Sequence, residues 1–346
     1  MDYKYLDKID DVKYLKSLSM DELEILCKET RHYIIEAISK TGGHLAPSLG
    51  VVELTIALLY VYDSPEDSVL WDVGHQAYPW KVLTGRREEL KNIRQYGGIS
   101  GFQKRSESVH DAFGAGHAST SISAGLGFSV ANELLQKNDP GKVISVIGDG
   151  ALTGGLAYEG LNNAGSLRKQ LMVILNDNNM SISPNVGAIS KYLHKIVTNP
   201  IYNRLRDEIW NLTSKLPGKL FLRKTIRKIE ESLKVLLVPG ILFDELGFRY
   251  FGPVDGHNLP SLIDTLKKIK DIKTPVLLHI LTTKGKGLPE AEQNPTQFHG
   301  IKGKVVENPN DNTASAPSYT QVFGETLTEI AEKHENVAGI TAAMSD

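Results

Sequence analysis

Two short polar motifs near the middle of the chain contain side chains that could bind a metal ion. Asp149 lies in a Gly-Asp-Gly motif, and residues 176–178 form an Asn-Asp-Asn motif. Carboxylate and amide oxygens are hard ligands of the kind that Mg²⁺ prefers. The glycines of the GDGALTGG segment let backbone N–H groups approach a phosphate beside a helix N-terminus. The motifs therefore predict a site that holds a diphosphate through a divalent cation.

The segments before these motifs have the composition of buried parallel strands. Residues 143–147 and 171–175 are almost wholly apolar and rich in β-branched side chains, and residues 152–164 have the spacing of a crossover helix. A βαβ unit of this kind brings the C-terminal ends of both strands to one edge of the sheet. Each motif alone is also compatible with a simple turn or a polar strand exit. Their occurrence one crossover apart favours the metal site.

Composition restricts the class of protein. The 346 residues are 41% hydrophobic and 23% charged, which is typical of a globular chain with a large core. A net charge of −2 gives no overall reason to expect nucleic acid or a membrane as partner. Cys27 is the only cysteine, and we expect it to be a structural thiol in a packed helix. The sequence has no signal-like N-terminus and no apolar run of membrane-spanning length, so a cytoplasmic location is expected.

Hydrophobic spacing and capping signals predict the remaining elements. Ser19 and Glu22 form a capping-box pattern at the start of an amphipathic helix. The other predicted helices cover 51–62, 259–270 and 319–333, and further strands cover 68–71, 275–281 and 337–341. The alternation of strands and helices indicates an α/β fold, in which a largely parallel sheet is flanked by helices on both faces.

Two stretches depart from this alternation. We interpret residues 181–240 as a helical basic excursion, since 191–234 carry eleven Lys and Arg against four Asp and Glu. Such a stretch is also compatible with a membrane surface or nucleic acid, although a solvated helical face is favoured. Residues 303–318 are rich in Pro, Asn and Ser and are typical of a linker. These features place one domain at 1–302 and the start of another at 319–346.

From about Leu15 to its last residue, the sequence resembles the 1-deoxy-D-xylulose-5-phosphate synthases, thiamine-diphosphate enzymes related to transketolase. The GDG and NDN motifs are common to the wider thiamine-diphosphate superfamily. The motifs that carry the resemblance are GGHLAPSLGVVELTIALLYVYD, LWDVGHQAYPWKVLTGR, GHASTSISAGLG, GDGALTGGLAYEGLNNAG, NDNNMSIS, LFDELGFRYFGPVDGHN and TTKGKGLPEAE. Among them, VGHQAYPWKVLTGR and FRYFGPVDGHN indicate the synthases in particular.

The resemblance implies a fold, a reaction and a set of partners. The fold would be the diphosphate domain of the thiamine-diphosphate-binding fold. The reaction would condense pyruvate with D-glyceraldehyde 3-phosphate, release CO₂ and form 1-deoxy-D-xylulose 5-phosphate for isoprenoid, thiamine and pyridoxal synthesis. Thiamine diphosphate and Mg²⁺ would be the cofactors, and the enzyme would be a cytoplasmic homodimer.

The resemblance also implies roles for individual positions. The metal ligands would be Asp149, Asn178 and the backbone carbonyl of Met180. The cofactor site would be lined by His75, Gly116, His117, Ala118, Gly150, Ala151, Asn178, Lys284 and Leu288. Substrate handling and proton transfer would be carried out by His44, His75 and His299. A single histidine in a loop is also compatible with a structural role, but several beside glycines favour neutral imidazoles that donate hydrogen bonds and move protons.

The chain departs from the family pattern in two ways. Trp80 replaces a common histidine, Ala118 a frequent serine and Leu288 a frequent aromatic residue, which could alter cofactor packing without removing a metal ligand. The family also continues into a pyrimidine-binding domain, which supplies a glutamate for the aminopyrimidine and arginines for the substrate phosphate, and then into a third domain. We therefore expect a proteolytic or engineered fragment of a longer enzyme that is inactive alone.

Two alternatives to this interpretation are open. The chain could be the diphosphate-binding subunit of a split transketolase-like or 2-oxo acid dehydrogenase enzyme, whose partner chain would supply the glutamate. It could also be a catalytically silent cofactor-binding module. A second polypeptide that copurifies with the chain would support the first alternative, and bound cofactor without activity would support the second.

Overall fold

The computed structural model describes residues 2–9, 11–135, 140–178, 187–188, 191–194, 240–303 and 317–340. The chain divides into two compact units, Met1–Gly303 and Lys304–Asp346. The strands are β1 (Gly42–Gly43), β2 (Ser68–Trp71), β3 (Val143–Gly148), β4 (Met172–Asp177), β5 (Arg249–Asp255), β6 (Val276–Leu281) and β7 (Ile301–Lys302). The helices of the first unit are α1 (Val12–Ser17), α2 (Met20–Thr41), α3 (Leu45–Leu49), α4 (Val52–Val61), α5 (Tyr78–Lys81), α6 (Ser121–Leu134), α7 (Asp149–Leu152), α8 (Gly155–Leu167), α9 (Ile241–Glu245), α10 (Leu259–Ile269) and α11 (Pro289–Gln293).

The central sheet has the strand order β2-β3-β4-β6-β5, and all neighbouring strands are parallel. The strands β1 and β7 form a separate antiparallel pair. The predicted βαβ unit is confirmed, because β3 and β4 are parallel neighbours joined through α7 and α8. The crossover is interrupted at Thr153 and Gly154, where the sequence predicted one continuous helix. All C-terminal strand ends therefore lie at one edge of the sheet.

Alternate residues of each strand point to opposite faces of the sheet, and both faces are covered. Ile144 and Val146 of β3 pack into the core that contains α2, α4 and α10. Val143 and Ile147 pack into the core that contains α6 and α8. This two-sided burial explains why the strands are continuous apolar runs, and it confirms the predicted α/β class.

The predicted capping box at the start of α2 is present. The Ser19 hydroxyl accepts the backbone N–H of Glu22, and the Glu22 carboxylate accepts the backbone N–H of Ser19 at 2.8 Å. Cys27 is buried on the same helix, and burial raises the pKa of its thiol well above the usual range. Since the reactive form of a thiol is the thiolate, this environment agrees with the predicted structural role.

The described part of the second unit contains one helix, α12 (Tyr319–Lys333), with the predicted bounds. The strand predicted at 337–341 is wrong for residues 337–340, which have no strand pairing. A strand requires a hydrogen-bonded neighbour, and the described residues of this unit supply none. The predicted excursion at 181–240 and the linker at 303–318 lie almost entirely outside the described residues. Within the described part of the chain, no helix has the length and apolar character needed to cross a bilayer.

Candidate active site

The C-terminal edge of the sheet brings the predicted metal motifs together. Gly148, which precedes Asp149, pairs with Asn176 of β4. The strand β4 extends two residues beyond its predicted end, because Asn176 and Asp177 continue the ladder with β6. The side-chain oxygen of Asn176 accepts a hydrogen bond from the Thr282 hydroxyl at 2.7 Å. Of the Asn-Asp-Asn motif, Asn178 is therefore the residue that lies beyond the strand end, next to Asp149 in the fold.

Asp149 has the features of a metal ligand. Its side chain is only 3% exposed, and its Oδ1 accepts the backbone N–H of Gly150 at 3.0 Å. Its Oδ2 is buried and has no hydrogen-bond partner among the described residues. Burial raises the pKa of Asp149 well above its usual range, the Asp177 carboxylate adds to this, and the backbone N–H groups of Gly150 and Asn178 oppose it. A buried carboxylate oxygen beside a second carboxylate is stabilised by a cation, which fits Mg²⁺.

The neighbouring carboxylate belongs to a buried chain of hydrogen bonds. Asp177 Oδ2 lies 3.0 Å from His279 Nε2, and His279 Nδ1 lies 2.7 Å from the Tyr250 hydroxyl. Since Nε2–H donates to the carboxylate, Nδ1 accepts the tyrosine O–H. The sequence analysis placed Asp177 in the metal motif but assigned no role to Tyr250 or His279. The sequence did contain a signal for a buried polar contact, because His279 is the one polar residue in the apolar run PVLLHIL.

Open space adjoins the metal motif on the side of the glycines. Among the described residues, no atom from another segment lies within 4 Å of the position that a Cβ would occupy at Gly116, Gly148 or Gly155. The helix α8 begins at Gly155, and its N-cap residue, Gly154, has no side chain that could cap the helix. Unoccupied space next to a helix N-terminus and glycine backbone is the arrangement that binds phosphate groups. The residues present therefore fit a diphosphate held through a metal ion.

Lys284 supplies a buried cation near this space. Its side chain is 5% exposed and lies just after β6. Burial lowers the pKa of Lys284 to about 8, and the Asp149 carboxylate acts in the opposite direction. Lys284 also lowers the pKa of all three predicted catalytic histidines. It therefore lies within electrostatic reach of both the metal motif and the histidines.

A chain of hydrogen bonds between polar side chains holds the segment that carries Lys284. The Thr283 N–H donates to His257 Nε2 at 2.8 Å, and His257 Nδ1 lies 3.0 Å from the Glu53 carboxylate. Glu53 in turn accepts a 2.6 Å hydrogen bond from Arg31. Because Nε2 is the acceptor, Nδ1 carries the hydrogen of the neutral ring. Sequence reasoning used the FRYFGPVDGHN segment only for the resemblance, and the structure shows that its histidine positions the loop after β6.

His44, His75 and His299 converge although they are distant in sequence. The ring centroids of His44 and His75 are 5.8 Å apart, those of His44 and His299 are 5.6 Å apart, and those of His75 and His299 are 5.3 Å apart. Phe102 packs beside His44, with ring centroids at 5.6 Å. The Nδ1 atom of each histidine is buried without a hydrogen-bond partner among the described residues. The cluster therefore brings together three buried imidazoles whose Nδ1 atoms form no hydrogen bond with the described residues.

These imidazoles are neutral at physiological pH. Burial is the main cause that lowers the pKa of His44 to about 4, with smaller effects from Arg94 and Lys284. Burial also lowers the pKa of His299 to about 4, assisted by Lys284 and His44. The pKa of His75 is lowered well below its usual range by burial and by the other two histidines. A neutral imidazole has one donor and one acceptor nitrogen, so it can both give and take a proton.

The neutral histidines predict that stability falls in acid. Between the ordinary pKa of 6.5 and the folded pKa of about 4, the unfolded chain binds protons that the folded chain does not. We expect the free energy of unfolding to be highest above about pH 6.5. It should decrease as the pH falls toward 4, by up to about 1.4 kcal/mol per pH unit for each histidine. Urea unfolding at several pH values measures this slope. The double variant His44→Asn, His299→Asn should have a flatter slope, and an unchanged slope would contradict the assignment.

The other predicted positions that the structure describes lie in the loop before α6, in α7 and in the segment after β6. Gly116, His117 and Ala118 are exposed on the loop before α6, and Gly150 and Ala151 lie in the single helical turn α7, which begins at Asp149. Leu288 is half-buried against the core. Met180 lies outside the described residues. Within the described part of the chain, no group of three or more His, Cys, Asp and Glu side chains is arranged around a metal position, so the predicted ligand set depends on amide and backbone oxygens.

Trp80 packs in the hydrophobic core of the first unit. It is fully buried, and its indole N–H donates to the His110 carbonyl at 3.2 Å. Its ring meets that of Trp71 edge-on, at 6.3 Å between centroids. The departure from the family pattern at this position is therefore accommodated in the core.

Sequence comparison relates the chain to one family of enzymes. A sequence model of the 1-deoxy-D-xylulose-5-phosphate synthase family matches residues 6–282. The chain is 52% identical over 345 residues to the 1-deoxy-D-xylulose-5-phosphate synthase of Alkaliphilus oremlandii, covering 99% of this chain and 55% of that protein. It is 53% identical over 334 residues to the synthase of Aquifex aeolicus, covering 96% of this chain and 53% of that protein.

Among solved structures, the chain is similar to transketolase from Campylobacter jejuni. The TM-score is 0.61 at 19% identity, with 82% of this chain and 41% of the transketolase covered. This likeness shows a common fold. The chain spans about half the length of the curated relatives it matches. From the family match and the identity over nearly its whole length, the chain belongs to the 1-deoxy-D-xylulose-5-phosphate synthase family.

Proposed function

We propose that this chain forms the part of a 1-deoxy-D-xylulose-5-phosphate synthase that binds thiamine diphosphate and Mg²⁺. The complete enzyme would be a transferase that condenses pyruvate with D-glyceraldehyde 3-phosphate. The observation that carries the proposal is the buried Oδ2 of Asp149 at the C-terminal edge of the sheet, which has no hydrogen-bond partner among the described residues. The glycine-lined space and the N-terminus of α8 beside it support a bound diphosphate.

The proposed cofactor contacts follow from this arrangement. Asp149 and Asn178 would bind Mg²⁺ through their side chains, together with the Met180 carbonyl, which lies outside the described residues. The diphosphate would be contacted by Lys284, Gly150 and Ala151. Gly116, His117, Ala118 and Leu288 would line the remainder of the cofactor site. When bound, thiamine diphosphate supplies the electron sink that decarboxylation of pyruvate requires.

The three histidines would handle the substrates. Because burial keeps His44, His75 and His299 neutral, each can donate a hydrogen bond to a substrate oxygen or accept a proton from a substrate hydroxyl. The aromatic ring of Phe102 and the buried surroundings of the cluster exclude water from these nitrogens. Exclusion of water strengthens hydrogen bonds to developing charge and prevents competing proton transfers.

The wider assignments are proposals that follow from the family. We propose a diphosphate-binding domain at 1–302, a linker at 303–318 and the start of a pyrimidine-binding domain at 319–346. We also propose a cytoplasmic homodimer that acts in isoprenoid and thiamine synthesis. The separation of the chain into units at Gly303 and Lys304 supports the first boundary. Sedimentation of the chain at several concentrations tests the dimer.

Calorimetry of the chain with thiamine diphosphate tests the proposed cofactor site. We expect binding in the presence of Mg²⁺ and its loss when a chelator removes the metal, because the metal offsets the repulsion between the diphosphate and Asp149. Thiamine without the diphosphate is the control ligand and should bind much more weakly. Equal affinity with and without Mg²⁺ would contradict the metal-bridged site.

An activity measurement tests the reaction. The chain is joined to the part of the Alkaliphilus oremlandii relative that it does not match, and formation of 1-deoxy-D-xylulose 5-phosphate is followed by mass spectrometry. We expect product from this joined protein and negligible product from the 346-residue chain alone. Cofactor binding without product in the joined protein would instead favour a catalytically silent module.

A further inference from the structure

Two buried aspartates flank the strand β2, one at each end. Asp72 follows the strand and is 1% exposed. Its Oδ1 accepts the backbone N–H of Ser119 at 2.7 Å, and its Oδ2 accepts that of Ser121 at 2.9 Å. Its own backbone N–H donates to the carbonyl of Val146 in β3 at 2.8 Å. The Asp72 carboxylate is therefore fixed to the edge of the sheet and holds two amides of another segment.

The segment that Asp72 holds contains three of the proposed cofactor-lining residues. Residues 116–118 precede Ser119, and α6 begins at Ser121. Ser119 has a φ of 68°, a left-handed conformation that is unfavourable for a residue with a side chain. Such a conformation persists only when surrounding contacts hold it. The two hydrogen bonds to Asp72 are contacts of this kind.

Ser119 connects the same segment to the turn after the proposed metal ligand. Its hydroxyl donates to the carbonyl of Ala151 at 2.7 Å. A side chain at Gly154 would collide with the Ser119 hydroxyl, so the two segments are in close contact. The position of the 116–118 loop relative to the Gly150–Ala151 turn is thus determined through Ser119, and Ser119 is held by Asp72.

We infer that Asp72 is a positioning residue for the cofactor site, which sets the distance between the 116–118 loop and the turn that follows Asp149. This inference rests on the proposed function, because it assumes that both segments contact thiamine diphosphate. Asp72 acts through backbone amides, since both of its carboxylate oxygens accept N–H groups of the Ser119–Ser121 segment. Its replacement by asparagine keeps the shape of the side chain but places an NH₂ group against a backbone N–H.

Asp67, at the other end of β2, provides a matched control. It is also buried, and its carboxylate accepts the backbone N–H groups of Asp63 at 2.7 Å and Lys142 at 2.6 Å. Asp67→Asn therefore disrupts the same kind of paired hydrogen bonds, at the edge of the sheet opposite the cofactor site. We expect Asp67→Asn and Asp72→Asn to lower the urea midpoint by similar amounts.

The affinity for thiamine diphosphate with Mg²⁺ distinguishes the two variants. By calorimetry on the full chain, Asp72→Asn should weaken binding about 10–100-fold, the range typical of residues that orient ligands, whereas Asp67→Asn should leave it unchanged. Ser119→Ala, which removes only the bond to the Ala151 carbonyl, should weaken binding by a smaller factor. Equal affinities in wild type, Asp72→Asn and Ser119→Ala would overturn the inference.

Amide hydrogen exchange of the ligand-free chain keeps the test independent of the proposed function. Exchange of the Ser119 and Ser121 amides should accelerate in Asp72→Asn but not in Asp67→Asn, and unchanged exchange in Asp72→Asn would overturn the positioning role. If the wild-type chain fails to bind thiamine diphosphate, the proposed function is wrong, and the exchange result alone then decides whether Asp72 positions the loop.

Discussion

Replacing Asp149 with asparagine is expected to abolish Mg²⁺-dependent binding of thiamine diphosphate without destabilising the fold. Asparagine keeps the oxygen that accepts the Gly150 N–H, but it removes the negative charge that would bind the metal. We expect the affinity to fall by more than about 100-fold, since residues that only orient a metal ligand are already worth about 10–100-fold. Calorimetry with and without Mg²⁺ measures the loss.

The same substitution should raise the free energy of unfolding of the metal-free chain. Burial and the Asp177 carboxylate raise the pKa of Asp149, so the charged form is unfavourable in the fold at neutral pH. The neutral asparagine removes this repulsion. Asp67→Asn should have the opposite pattern, with lower stability and unchanged affinity. Retained Mg²⁺-dependent binding in Asp149→Asn would show that the metal is held elsewhere.

A second large effect is expected for His299→Gln. It is measured in the joined protein described above, which we expect to form product. Glutamine can still donate and accept hydrogen bonds, but it cannot take up and release a proton. We therefore expect kcat to fall by about 10²–10⁴-fold, the usual contribution of general acid–base catalysis. The affinity for thiamine diphosphate should change much less than kcat, because His299 is not one of the residues proposed to line the cofactor site.

His110→Gln is the control for this substitution. His110 is also partly buried with a lowered pKa, but its Nδ1 lies 2.9 Å from the Ser64 hydroxyl, and it is not a member of the His44, His75 and His299 cluster. Its replacement should leave kcat unchanged. If His299→Gln raises KM and leaves kcat intact, His299 binds substrate without transferring a proton, and the catalytic assignment is wrong.

Local sequence patterns predicted most of the central sheet. The apolar runs before Asp149 and Asn178 are continuous because helices cover both faces of β3 and β4, and such runs are typical of parallel strands. Parallel pairing then requires both strand ends to lie at one edge, which is why the metal motifs could be placed together. The capping box at Ser19 is equally local, since its two partners are three residues apart.

These local patterns did not predict contacts between distant segments. The strand predicted at 337–341 had suitable residues, but a strand also requires a neighbour, and sequence composition does not show whether one is in place. The hydrogen bonds from Tyr250 to His279 and on to Asp177 cross three strands of the sheet. No short-range spacing encodes such a chain, although a histidine in an apolar strand indicated that a buried polar partner was needed.

For the candidate site, the sequence by itself determined which chemical groups lie at the sheet edge, because strand ends and their following residues are set by local hydrophobic pattern. The family resemblance added roles for His44, His75 and His299, which no local spacing relates. Only the tertiary structure decided that these three rings meet, that their nitrogens are buried and that Asp72 holds the loop opposite Asp149. Burial and the orientation of loops depend on how distant segments pack, and packing is a property of the whole fold.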